Sequence, residues 1–98
     1  MSKLHTDSEL LVIRNAKQTA NNTGYDQYVY EDTEGDFWFG RVYYMAKIDA
    51  GVIKRVVGIA KVSYRYGIRE VTFIRNEGKN RKVVEKILAD EDISFKIS

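Results

Sequence analysis

Gly78-Lys79-Asn80-Arg81-Lys82 places three cations within four positions, just where a helical pattern begins. Free N–H groups at a helix start attract oxygen anions, and Lys79, Arg81 and Lys82 would attract the same groups. The run therefore reads as a phosphate-contacting pocket, with a solvated basic turn as the competing reading. A second set of residues lies between Phe37 and Arg65. Phe37, Phe39, Arg41, Tyr43, Met45 and Lys47 alternate along one segment, and Arg55, Val57, Ile59, Lys61, Ser63 and Arg65 along the next. On a shared sheet face, Phe37, Phe39 and Tyr43 would stack bases while Arg41, Arg55, Lys61 and Arg65 hold the backbone; such stacking contributes about 1–3 kcal/mol per base. Val57, Ile59 and Ile74 on the same face favour a protein contact instead, because aliphatic side chains add little to stacking. Phe37, Phe39, Tyr43, Met45 and Ile59 are thus nominated as a partner or stacking face. Three explanations compete for it: a second structural layer, a self-association surface, or a ligand platform.

Catalytic chemistry finds little to work with. The sequence has no cysteine, which excludes disulfides, thiolate metal sites and thiol catalysis. His5 is the one histidine and falls in a segment expected to fray, a poor place for a general base. The acidic loop Glu31, Asp32, Glu34, Asp36 resembles a calcium loop, but Gly35 is out of phase with the EF-hand pattern, and a solvated hairpin loop is the simpler reading. Glu77-Gly78-Lys79 resembles the E-x-K element of a large nuclease superfamily, in which acid and lysine sit on a strand beside an upstream carboxylate that binds Mg²⁺. Here Gly78 puts the triplet in a turn, and neither Asp49 nor Glu70 is placed as the partner. The expectation is a protein that is not an enzyme and uses no metal and no cofactor.

The elements that must position these residues follow from periodicity and turn chemistry. Thr6-Asp7-Ser8-Glu9 has the spacing of a capping box, so a helix is expected from there, with Leu10, Val12, Ile13, Ala16 and Ala20 as its apolar stripe and Asn21-Asn22-Thr23-Gly24 as its stop. A strand from Leu10 to Arg14 is the alternative. Tyr25 to Tyr30 reads as a strand that returns through the acidic loop into Phe37, with Tyr30 opposite Trp38 and Tyr28 over Gly40. Phe37 to Ile48 and Val52 to Arg65 read as a long hairpin around Asp49-Ala50-Gly51. Its register would set Trp38 across from Val62, Gly40 from Ala60, Val42 from Gly58 and Tyr44 from Val56 on the core face. Tyr66-Gly67 makes a second tight turn into Ile68 to Arg75, which adds Val71 and Phe73 to that core face and Glu70, Thr72 and Ile74 to the outer one. Val83, Val84, Ile87 and Leu88 mark a helix ending near Asp92, and Ile93 to Ile97 alternates like a short C-terminal edge strand. Asp90-Glu91-Asp92 at that helix's end would run against the macrodipole.

The expected architecture is α+β: a four-stranded antiparallel meander with an N-terminal and a C-terminal helix, in a single domain of 98 residues. No apolar run is long enough for a membrane span or a signal core, and a cytoplasmic protein is expected. Net charge is only +2, but residues 1–50 sum to −3 and residues 51–98 to +5, a lopsidedness that permits a polyanion partner without requiring one. In outline, helix, antiparallel meander and a helix opening on a basic cluster resemble the double-stranded RNA-binding domain. The resemblance implies that Lys79, Arg81 and Lys82 meet phosphates across the major groove; the long hairpin and an extra strand depart from that family. The leading expectation is a non-catalytic module binding RNA or DNA. The alternative is a small protein-binding regulator or inhibitor, of the kind viruses encode against host or defence factors, acting through the apolar sheet face and with a homodimer as one form.

Overall fold

The computed structural model describes the backbone of residues 5–6, 8–41 and 51–97, and the side chains of 8–41 and 51–90. Helix α1 (Glu9–Thr23) starts at Ser8, whose backbone is extended and whose Oγ accepts the Leu11 N–H at 3.3 Å. The expected cap at Thr6 is corrected: Thr6 lies in a two-residue strand, β1 (His5–Thr6), and the Glu9 carboxylate is bound to arginines rather than to the backbone. His5 likewise pairs through its backbone with Trp38. The helix stops as its sequence predicts, at Gly24 with φ 78° and its N–H donated to Ala20 O. Val12, Ile13, Ala16 and Ala20 form the buried face, whereas Leu10 points to solvent.

Strands β2 (Gln27–Asp32), β3 (Phe37–Gly40), β4 (Ile53–Arg65) and β5 (Ile68–Arg75) precede helix α2 (Asn80–Ile97). All pairings are antiparallel, and the sheet order is β1-β3-β2-β4-β5. The fold is α+β with a helix from each end of the chain, as expected. Two hairpins also match: in β2–β3 Tyr30 stands opposite Trp38 and Tyr28 opposite Gly40, and in β4–β5 Arg65 pairs with Ile68 across a two-residue turn.

The meander order is corrected. β2 lies between β3 and β4, so Ala60 faces Gln27 rather than Gly40, and Val62 faces Val71 rather than Trp38. Both edges of β3 are occupied, by β2 and by β1, which leaves none for β4. Gly51 does take the positive φ (73°) foreseen for it, but Val42, Tyr44 and Ile48 lie outside the described residues. The C-terminal edge strand is corrected as well, because the backbone is helical through Ile97. Ile93 and Ile97 are also four apart, a helical spacing, and five alternating residues do not separate the two periods.

Each face of the sheet packs against a helix. Val12, Ile13, Ala16 and Ala20 of α1 meet Val29, Phe37, Val57 and Ala60, with Phe39, Val62, Val71 and Phe73 around them. On the opposite face, Val84 of α2 meets Tyr28 and Ile59, bordered by Ile53, Ile74, Ile87 and Leu88. Val57 and Ile59, two apart, would share a face in a regular strand, yet they fall in different clusters. A β-bulge explains it: Val29 pairs with Gly58 but Tyr30 with Val56, so the alternation of β4 slips by one at Val57. Asn76 ties off the irregular backbone, donating its N–H to Val57 O at 2.9 Å and its Nδ2 to Val56 O at 3.0 Å.

Candidate functional site

The nominated sheet face is not a surface at the positions described. Ile59 is fully buried beneath α2, and Phe37 and Phe39 pack under α1 on the other side of the sheet. The second-layer explanation therefore holds for Ile59, while Tyr43 and Met45 lie outside the described residues. Phe37, Phe39 and Ile59 consequently do not form one stacking face, a correction that follows from the new position of β3 and the bulge at Val57.

The cations assigned to that face separate by partner. Arg55 donates from Nε to Glu31 at 2.6 Å and from Nη2 to Glu9 at 3.0 Å, and Glu9 also accepts from Arg75 Nη1 at 3.2 Å. Glu9 is thereby held below the usual carboxylate range. The bond from Arg55 is the largest cause, partial burial opposes it, and Arg75 adds to it. Lys61 donates to Asp26 at 2.9 Å, and Arg41 lies 3.6 Å above the Tyr25 ring. Three of the four nominated sheet cations already have work inside the molecule. The fourth, Arg65, is exposed near the end of β4.

The basic run at the start of α2 keeps its character. Lys79, Arg81 and Lys82 are exposed, and among the described residues none of them meets a carboxylate. No acidic residue occupies the first turn of α2, although such a residue would favour the helix dipole. Asn80 and Arg81 donate their backbone N–H groups to Glu77 O and Gly78 O at 3.1 and 3.3 Å, so attraction for an anion rests mainly on the three side chains. Glu77 and Lys79 stand exposed in the turn rather than on a strand, without the placement that nuclease chemistry needs. Asp90-Glu91-Asp92 lies within α2 rather than at its end, and the reversed polarity expected there disappears.

The acidic loop is built around Asp32, which is buried. Its Oδ1 accepts the N–H groups of Glu34 and Asp36, both at 2.9 Å, and its Oδ2 accepts the Trp38 Nε1–H at 2.8 Å. Asp32, Glu34 and Asp36 come within 4.8 Å of one another, but three protein donors already use the central carboxylate, which makes it the anchor of the β2–β3 turn.

The tight turn at Tyr66-Gly67 is where the sequence places it, but it closes a free ribbon that the sequence did not mark. β2 ends its pairing with β4 at Ala60, so residues 61–65 pair only with β5 and form a two-stranded ribbon. At its end, Tyr66 and Gly67 have φ 53° and 77°, the two positive values of a type I′ turn. Glycine and asparagine suit the first of these positions; a tyrosine held there costs on the order of 1–3 kcal/mol. Tyr64, Tyr66 and Ile68 are 61%, 96% and 67% exposed. The legible signal was Tyr-Gly where a hairpin prefers Asn-Gly. Among the described residues no helix is long and apolar enough to cross a membrane. No protein family, curated protein or solved structure matches the chain.

Proposed function

We propose that the chain is a non-catalytic binding module that contacts nucleic-acid phosphates through Lys79, Arg81 and Lys82. The observation that carries this reading is the contrast between those cations, exposed and without a carboxylate among the described residues, and Arg55 and Lys61, which are neutralised within the fold. A cluster of uncompensated cations on one helix end attracts a polyanion without reading its sequence. The corrected strand order removes the meander from the likeness to the double-stranded RNA-binding domain. What remains is an element order and a basic helix start, and these support phosphate contact rather than base readout.

Fluorescence anisotropy with duplex and single-stranded RNA and DNA tests the proposal. Three phosphate contacts give a log–log salt slope of about −2.1 on single strands and about −2.7 on duplex, so affinity should fall roughly 20- to 40-fold between about 50 and 200 mM salt. Replacing Lys79, Arg81 and Lys82 by glutamate should abolish binding while the chain stays folded. Affinity that ignores both salt and those substitutions would overturn the reading. A protein-binding role has separate support in the exposed tyrosines at the end of the β4–β5 ribbon.

A further inference from the structure

We propose that the end of the β4–β5 ribbon is a protein-docking tip, centred on Tyr66, and that its partner offers an apolar pocket rimmed by carboxylates. This surface goes beyond the phosphate-contacting role. Tyr66 and the start of α2 lie at opposite ends of β5, about 25 Å apart for eight residues at roughly 3.3 Å each.

Four observations carry the proposal. Tyr66 is held at φ 53°, which a tyrosine adopts only at a cost, and its ring is almost wholly in solvent, so no burial within the described fold repays the strain. Ile68, paired with Arg65 on the ribbon, adds exposed aliphatic surface beside it. The tip is also pre-organised. Arg69 donates from Nη1 to Asn21 O at the C-terminal end of α1 and from Nε to Tyr64 OH at 3.2 Å, and the Val62 N–H is donated to Asp26. A ribbon fixed in this way loses little conformational freedom on binding. Finally, Arg65 stands exposed directly beside the turn and among the described residues meets no carboxylate, which gives the tip a free cation suited to an acidic rim.

Protein fits better than nucleic acid. Arg69 lies over the Tyr64 ring at 5.8 Å and Arg41 over the Tyr25 ring at 3.6 Å, so each of those rings already carries a guanidinium on one face, and Tyr66 alone is a smaller platform than the run of rings on which successive bases stack. An exposed tyrosine bordered by arginine matches the composition of protein interface hot spots, and Ile68 adds apolar area beside it.

The test uses Tyr66→Asn. Asparagine suits the first position of a type I′ turn, so this variant should fold with a Tm raised by a few degrees while losing the ring. A random dodecapeptide library is selected against the immobilised full chain, and the winners are measured by calorimetry against the parent, Tyr66→Asn, Arg65→Glu and the Lys79/Arg81/Lys82→Glu triple variant. The proposal expects peptides in which Asp or Glu flanks aliphatic or aromatic residues, with affinity at least tenfold weaker for Tyr66→Asn and for Arg65→Glu and unchanged for the triple variant. Peptides indifferent to Tyr66, or no enrichment at all, would overturn it. So would two other results: concentration-dependent self-association that Tyr66→Asn abolishes, which makes the occupant a second copy, or single-stranded oligonucleotide binding lost with Tyr66→Asn, which makes it nucleic acid. Failure of the phosphate reading shows in the triple variant alone and leaves this result standing.

Discussion

A side chain on Gly58 would collide with the Ile74 carbonyl oxygen, and its Cβ would stand 2.6 Å from Phe73 Cζ. The close approach of β4 to β5 beside the bulge requires this residue to be glycine for space, since no positive φ is involved. Backbone cannot give way as a flexible side-chain tip can, so Gly58→Ala should destabilise the fold by about 1–3 kcal/mol, read as a lower urea midpoint at unchanged slope. Gly24 shows the contrast. There the near neighbour is the side-chain end of Arg69 rather than backbone, and the constraint is the left-handed backbone of the helix stop. The sequence marked Gly24 through its Asn-Asn-Thr-Gly setting, whereas Gly58, one small residue among β-branched ones, carried no sign of a backbone approach from a neighbouring strand.

Among the elements, α1 is fastened to the sheet at both ends by arginines from the strands. At its start, Glu9 bridges Arg55 of β4 and Arg75 of β5; at its end, Arg69 of β5 supplies the cation that the last turn of α1 lacks. Because the Glu9 pKa is lowered in the fold, this link stabilises the protein fully above the ordinary glutamate value of 4.5 and is lost as pH falls through the depressed one. The stability difference between the parent chain and Glu9→Gln should therefore shrink on acidification below about pH 4.5. Urea titrations at a series of pH values check this, and a constant difference would exclude the linkage. The two groups are partly exposed, so salt should weaken the effect. Glu9 was read from the sequence as a capping residue; Ser8 took the cap because β1 had already claimed Thr6 for the sheet edge.

At the scale of the whole molecule, helices from the two chain ends cover opposite faces of the sheet, and Ile59 is the point where a docking surface and a structural layer make opposite predictions. As part of the layer under α2, Ile59→Ala should cost about 2–5 kcal/mol of stability; an exposed partner contact would leave the unfolding midpoint almost unchanged. The sequence by itself determined the presence of the two helices, the β2–β3 and β4–β5 hairpins and the basic start of α2, because each is written in neighbouring residues: a glycine stop, a short turn, a periodic stripe, a run of charge. Only the tertiary structure decided which strand lies beside β4, where its alternation slips, and which cations remain uncompensated. The physical reason is that strands apolar on both faces satisfy the same two-residue period with any partner, so their neighbours and register depend on which edges are already occupied and on what each helix buries.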